Sequence, residues 1–195
     1  MEVILLRHSI AVGNGEHRFL GRTDVPLTPE GIALAKAMAK ELPQVEHVYA
    51  SPMTRAKETA ALIWPGVPTT ECAGLCEVDF GMLENKTHSE LVGDAAYEAW
   101  LQAGGGEGYP GGESFFGFEK RVKESFFDLL KDAYKNGYKM IAVVTHGGVV
   151  MKLVEMYHPA DKTTYETLRV SNCGGFRVVV NAEKGCAESI DNLKG

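Results

Sequence analysis

No apolar run in this chain approaches the ~20 residues that a helix needs to cross a bilayer. Nor is there a basic segment followed by an apolar signal core, since Met1-Glu2 leads straight into Val3-Ile4-Leu5-Leu6. The expected setting is the cytoplasm, with no membrane partner. Positive charge is also short. The 20 Lys and Arg against 26 Asp and Glu leave a net −6, so nucleic acid and anionic lipid are not attracted in general and any anion site must be local. Cysteine is sparse, and Cys72, Cys76, Cys173 and Cys186 form neither a CxxC pair nor a zinc-type ligand pattern. They read as reduced thiols. Internal repeats and low-complexity tracts are missing, which excludes a repeat architecture.

What is present is enough apolar material for one full core. With 195 residues, 45% of them hydrophobic, a single domain over 1–195 carrying an insertion is expected. Two short apolar runs each end in histidine: Val3-Ile4-Leu5-Leu6 runs into Arg7-His8, and Ile141-Ala142-Val143-Val144-Thr145 runs into His146-Gly147-Gly148. Both have the length and aliphatic content of buried parallel strands, and ligands of open α/β sheets collect at the carboxyl ends of such strands.

The first run is followed by a polar, glycine-rich loop over 9–27. Thr28-Pro29-Glu30 then supplies an N-cap, a first-turn proline and a first-turn acid, ahead of Ile32, Ala35, Met38, Ala39 and Leu42 on one helical face. His47 to Ala50 reads as a short strand, and Ser51-Pro52 as the opening of a helix reaching about Leu62. Residues 77–117 break the rhythm with short helical pieces near 86–91 and 94–102, Gly104-Gly105-Gly106 and a Pro110-Gly111-Gly112 turn, and read as an inserted lid. A long helix is predicted from Ser114 to about Asn136, with Phe115, Phe118, Val122, Phe126, Leu129 and Leu130 toward the core and Gly137 at its end. Strands over 140–145 and 175–180 follow, with a helix from Gly148 to about Tyr157 between them and a weak edge strand, Ala187 to Ile190, last.

Arg7-His8 pairs a permanent bidentate anion binder with a side chain that can be an uncharged nucleophile near neutral pH. That pairing suits phosphate, whose oxygens repel a nucleophile until fixed cations offset their charge. A second arginine is then required, and Arg55 meets the need in the first turns of a helix that follows a strand. His146 is the natural second phosphate donor, followed by two glycines that let the backbone come close. Taken singly, each histidine could merely close a strand and Arg55 could be a solvated helix residue. Two histidines and two arginines at strand-to-helix transitions weigh against that coincidence. An acid is also needed for the departing alkoxide. Glu77 is the candidate, with Asp79 and Glu84 as competitors. A metal hydrolase built on His8, His17, His88 and His146 is disfavoured, because Arg7 and Arg55 would repel a divalent cation and no HExxH spacing exists. A non-catalytic phosphate-binding module remains the alternative from another class.

Arg7-His8, Asn14 seven residues after Arg7, the Gly21 to Thr28 segment, Ser51-Pro52-Met53-Thr54-Arg55-Ala56 through Ala60, and Thr145-His146-Gly147-Gly148 together resemble the histidine phosphatase superfamily, the phosphoglycerate mutase-like fold. The resemblance implies a three-layer α/β/α architecture with a mostly parallel central sheet and a small helical lid. It implies attack by His8 on a phosphoryl group, with Glu77 as acid and then base. Arg7, Arg55 and His146 would hold the phosphate, assisted by Asn14, with Arg22, Thr23 and Gly147 as further substrate contacts. No metal or organic cofactor is implied, and the partner would be a small phosphorylated metabolite bound by a monomer or homodimer. Leu75-Cys76-Glu77 with Phe80-Gly81 and Glu84 is most similar to the small phosphatases of the family, α-ribazole phosphatase of cobalamin nucleotide-loop assembly among them. A broad-specificity sugar or small-molecule phosphatase and a phosphoglycerate mutase are the alternatives. Gly13 stands where mutases commonly have Trp. Ser9 replaces the family's glycine after His8, and Asn85 replaces a glycine after Glu84. His17, Arg18, His88 and Trp100 are the candidate lid contacts, with packing in the lid core the favoured role for Trp100.

Overall fold

The computed structural model describes residues 1–157, 165, 168–181 and 186–193. Its strands are β1 (Glu2–Arg7), β2 (His47–Ala50), β3 (Thr69–Glu71), β4 (Met140–Thr145), β5 (Gly175–Asn181) and β6 (Cys186–Asn192), in one sheet of order β3-β2-β4-β1-β5-β6. The β3, β2, β4 and β1 neighbours are parallel, whereas β5 and β6 run antiparallel at one side. The fold is thus α/β with a mostly parallel sheet, as the resemblance implies.

The unbroken apolar character of β1 follows from burial on both faces. Val3 and Leu5 pack among residues of α5 (Phe115–Lys135) and α6 (Gly147–Tyr157), and Ile4 and Leu6 pack among residues of α1 (Pro29–Met38) and α2 (Thr54–Ile63). Burying each such side chain is worth about 1.5–3 kcal/mol. The helices after the adjacent strands β1 and β4 lie on opposite faces, which opens a crevice at the carboxyl ends of the two strands. Register sets what meets there. Arg7 pairs with Thr145 and Ala50 with Val144, so His8, Ser51 and His146 leave the sheet side by side.

The caps behave as their residue types dictate. The Thr28 hydroxyl accepts from the Gly31 N–H at 3.0 Å and Pro29 occupies the first turn of α1, while Ser114 caps α5 through the Gly117 N–H at 3.0 Å. Two expectations are corrected, and one strand was not expected. Ser51-Pro52 does not open α2, which starts at Thr54 with Met53 in the cap position and no side-chain cap bond, because the Ser51 hydroxyl is drawn to His146 instead. Ile32 and Phe115 are 37% and 42% exposed, since Gly31, Ala35 and Met38 form the buried stripe of α1 and α5 buries its face only from Phe118 onward. β3 carried no signal, because Thr69-Thr70-Glu71 is exposed at the sheet edge and shows no apolar alternation.

Between β3 and α5 the insertion contains α3 (His88–Leu91) and α4 (Ala95–Gln102), close to the expected pieces. It has a small core of its own, Leu83, Leu91 and Tyr97 with Phe19, Phe80, Trp100 and Tyr109 against them. Among the described residues, no helix is long and apolar enough to cross a membrane.

Candidate active site

The crevice holds a pocket of about 370 Å³ whose lining includes Arg7, His8, Asn14, Glu77 and Gly147, together with His17 and Arg18. Five of the expected site residues therefore share one cavity. The imidazole of His8 is 4% exposed and lies edge-on to that of His146, with ring centroids 5.2 Å apart. His8 Nδ1 is 2.6 Å from the Ser9 carbonyl, which can only accept, so the proton of the neutral ring sits on Nδ1 and Nε2 keeps its lone pair. Burial first, then the charges of Arg55 and Arg7, hold the His8 pKa well below the usual histidine value, against the opposing Ser9 bond.

His146 carries the other tautomer. Arg55 Nε–H donates to its Nδ1 at 3.3 Å, so its proton is on Nε2 and is donated to the Ser51 hydroxyl at 2.7 Å. Burial, followed by His8 and then Arg55 and Arg7, pushes its pKa well below the usual value. Arg55 is fully buried, and its Nη2 donates to the carbonyls of Leu20 and Gly21 and its Nη1 to that of Thr23, at 2.8 to 3.0 Å. Every nitrogen of this guanidinium is thus bonded within the protein. Arg55 gives the site its charge and anchors the 20–23 loop, with four of its five N–H groups committed in these bonds. Arg7 is less committed. Its Nη1 donates to the Val170 carbonyl at 2.6 Å, whereas its buried Nε has no hydrogen-bond partner among the described residues. Arg7 is the arginine with donor capacity to spare.

The three carboxylate candidates separate clearly. Glu77 is buried, with its two oxygens accepting from the N–H groups of Gly148 at 2.9 Å and Val78 at 3.0 Å. Burial raises its pKa above the usual carboxylate value despite those bonds and the nearby Arg55 and Arg7 charges. A Cβ on Gly148 would stand 2.3 Å from Glu77 Oε1, so only glycine admits the carboxyl group to the N-terminus of α6. Asp79 is outside the pocket lining and accepts from Gly81 N at 2.8 Å. Glu84 accepts from the N–H groups of Gly21, Arg22, Thr23 and Phe80 and from the Thr23 hydroxyl. Burial opposes its charge, but these donors outweigh burial and hold its pKa below the usual value, so it stays ionised.

Arg22 and Thr23, expected at the substrate, are tied to Glu84 through the backbone, and the Arg22 charge reaches the site, where it helps to lower the His146 pKa. Arg22 is exposed with its N–H on Glu84, and Thr23 gives its hydroxyl to Glu84 and its carbonyl to Arg55. Trp100 packs against the lid core, stacked on Tyr97, whereas His88 is exposed with a ring nitrogen 2.7 Å from the Tyr97 hydroxyl. Asn14 accepts through Oδ1 from Ala11 N and Asn172 Nδ2, which leaves its NH₂ for the pocket it lines. Neither departure from the family motif disturbs the backbone. Ser9 is not in the left-handed region, and its hydroxyl donates to the Gly31 carbonyl at 2.7 Å. Asn85 does adopt φ 59°, a conformation asparagine tolerates better than most residues.

Several supporting residues escaped the sequence reading. Asn172 donates to the carbonyls of His8 and Ser9, and Arg121 donates to those of Gly74, Cys76 and Glu77 while pairing with Glu113. Tyr165 also lines the pocket. Only Asn172 carried a usable signal, as part of a Ser-Asn-Cys-Gly-Gly turn before β5.

The two buried imidazoles make stability pH-dependent. Their folded pKa values lie below the unfolded value of about 6.5, so the unfolded chain takes up protons first as pH falls and stability declines below that pH. Glu77, whose folded pKa is raised, opposes this with one proton against two. Urea midpoints are expected to drop between pH 7.5 and pH 5, and a flat profile would show that the imidazoles gain charge without cost.

Comparison with known proteins agrees with this geometry. Residues 3–192 match the family described as Histidine phosphatase superfamily (branch 1). The sequence is 32% identical over 167 residues, 80% of this chain and 75% of the relative, to 2,3-bisphosphoglycerate-dependent phosphoglycerate mutase 2 of Gloeobacter violaceus. The crystal structure of the α-ribazole phosphatase from Shigella flexneri superposes with TM-score 0.87 at 25% identity, covering 100% of this chain and 96% of that one. That of the phosphoserine phosphatase from Entamoeba histolytica in complex with 3-phosphoglyceric acid gives 0.77 at 26% identity, covering 100% and 97%. The chain belongs to the histidine phosphatase superfamily, branch 1, whose members are phosphatases or mutases, and its phosphatase neighbours support a hydrolase.

Proposed function

We propose that the protein hydrolyses phosphomonoesters through a phosphohistidine on His8, with α-ribazole 5′-phosphate as its substrate. The observation that carries the mechanism is the Nδ1–H to Ser9 carbonyl bond, which leaves the His8 Nε2 lone pair in the same pocket as Glu77. Nε2 forms the bond to phosphorus as the ester P–O bond breaks, and the protonated Glu77 gives its proton to the departing alkoxide. Water then attacks the phosphohistidine, Glu77 takes a proton from it, and His8 is released with phosphate. The charges of Arg7 and Arg55 offset the oxygens at both steps, with the spare donors of Arg7 directed at them. Likeness to an α-ribazole phosphatase over the whole chain supports the substrate. Sequence likeness to a phosphoglycerate mutase favours the second reading, transfer to 2-phosphoglycerate.

The test compares rates without added metal on α-ribazole 5′-phosphate, 3-phosphoglycerate, sugar phosphates and an aryl phosphate, for the native enzyme and Glu77→Gln. A preference of about a hundredfold for the ribazole ester, near 2.7 kcal/mol of differential transition-state binding, is the expected result. Glu77→Gln should lose roughly 10²- to 10⁴-fold on alkyl esters. On the aryl ester it should give a burst and a trapped phosphoenzyme, because a good leaving group needs no acid while hydrolysis still needs the base. Full alkyl turnover by the variant would remove Glu77 from the mechanism, and faster transfer to 2-phosphoglycerate than to water would install the mutase reading.

A further inference from the structure

A second cleft of about 780 Å³ opens beside the catalytic pocket, and Tyr165 lines both. The cleft is walled by Val78, Tyr109, Phe115, Phe116 and Phe118, with Lys152 between Glu119 and Glu155 on one side. Phe115 and Phe116 are 42% and 80% exposed, an unusual outlay of aromatic surface at the first turn of α5. Tyr165 is held in place from α6, with its N–H on Glu155 at 2.8 Å and its ring 5.1 Å from the Lys152 ammonium.

Position relative to Glu77 gives the cleft its meaning. In an in-line displacement the leaving group departs opposite the nucleophile, so the proton donor marks the side on which the alcohol lies. A Cβ on Gly148 would meet both the Glu77 carboxyl group and the Tyr165 hydroxyl, at 2.3 Å and 3.1 Å, so these two groups flank the same point of backbone. The Glu77 charge also contributes, after burial, to the raised pKa of Tyr109 and of Tyr165. Glu77 therefore stands at the junction of the two cavities, and the alcohol side of a bound ester has the aromatic cleft before it.

We infer that this cleft receives the leaving alcohol, and that it selects esters of uncharged alcohols bearing a planar aromatic ring over esters carrying a carboxylate. This rests on the hydrolase reading above. Tyr109, Phe115 and Phe118 present rings and ring edges suited to a flat apolar partner. Lys152 is not available to an anion, because it pairs with Glu155 and, at 3.4 Å, with Glu119. Among the described residues that line the cleft, two carboxylates face one ammonium, an excess of negative charge that disfavours a glyceric or amino-acid carboxylate.

Two matched pairs of alkyl esters test this with leaving-group chemistry held nearly constant: 2-naphthylmethyl against ethyl phosphate, and glycerol 3-phosphate against 3-phosphoglycerate. The native enzyme should favour the first of each pair by at least about tenfold in kcat/KM. Joint Phe115→Ala and Phe116→Ala, both at exposed positions, should cut the naphthyl preference severalfold, and Glu119→Gln should narrow the discrimination against 3-phosphoglycerate. Equal rates within both pairs, or a naphthyl preference untouched by the double substitution, would overturn the assignment. Calorimetry with 2-naphthylmethylphosphonate separates the two levels of the argument. Binding that weakens in the double variant, with no turnover of any ester, would keep the cleft and discard the hydrolase reading, whereas turnover without aromatic preference would do the reverse.

Discussion

His8→Ala is expected to lower kcat by about 10⁴-fold or more while leaving the protein folded and able to bind inorganic phosphate. The loss is large because the imidazole beside His8 has no free lone pair to take its place. His146 spends Nδ1 on Arg55 and Nε2 on Ser51, so it cannot substitute. The fold should survive, since the Ser9 carbonyl that loses the imidazole N–H keeps the Asn172 amide at 3.2 Å. A small void remains where the ring was, at a cost of about 1–3 kcal/mol. Phosphate binding should persist through Arg7, whose spare donors do not depend on His8. The variant should also lose part of the decline in stability below pH 6.5, because one of the two depressed histidines is gone. Steady-state kinetics, urea denaturation at two pH values and phosphate titration check these points together. An acid-labile, alkali-stable phosphoenzyme, trapped from the native protein and absent from the variant, would identify the nitrogen that carries the phosphoryl group. Near-native turnover by His8→Ala would end the phosphohistidine mechanism.

Glu84→Ala should be the most damaging substitution outside the pocket. One carboxylate satisfies the N–H groups of Gly21, Arg22, Thr23 and Phe80 and the Thr23 hydroxyl, and thereby ties the 20–23 loop to the start of the insertion. The closeness of that junction is visible at Gly21, where a Cβ would lie 2.1 Å from the Val78 carbonyl. Hydrogen bonds to a charged acceptor contribute about 1.5–3 kcal/mol each when singly removed, but shared donors in one loop relax together. A net loss of about 3 kcal/mol is expected, a fall in Tm of roughly 6–12 °C for a chain of this size. Activity should fall too, by at least about tenfold, because the carbonyls of Leu20, Gly21 and Thr23 position Arg55, and Arg55 in turn holds His146. Glu84→Gln, which keeps the shape without the charge, should lie between. An unchanged Tm in Glu84→Ala would show that water replaces the carboxylate at no cost.

The division between local and remote information is plain in these two residues. His8 could be picked out from the chain alone because its environment is written in contiguous sequence: an apolar strand, an arginine and a break. The same holds for His146 after β4, for the capped starts of α1 and α5, and for the inserted segment with its short helices. Periodicity and capping are local properties, read within a few residues. Glu84, by contrast, was one of three carboxylates that the sequence barely ranked. Its role as an ionised tie, and the place of Glu77 in the pocket, depend on partners 62 and 71 positions away.

By itself, then, the sequence determined an α/β chain with histidines at the ends of two buried strands, and a superfamily whose motifs fall in the matching order. Register between β1 and β4 made those ends neighbours, and only pairing across more than a hundred intervening residues could do that. Tertiary structure alone decided which tautomer each imidazole holds, that Arg55 gives most of its donors to His146 and backbone carbonyls while the Arg7 Nε is left without a partner among the described residues, and that Tyr165 lines both the pocket of Glu77 and the cleft of the exposed α5 aromatics. The reason is physical. Burial pattern and backbone conformation follow from nearest neighbours in the chain, whereas the direction of a polar side chain follows from whichever donor or acceptor the fold brings within 3 Å.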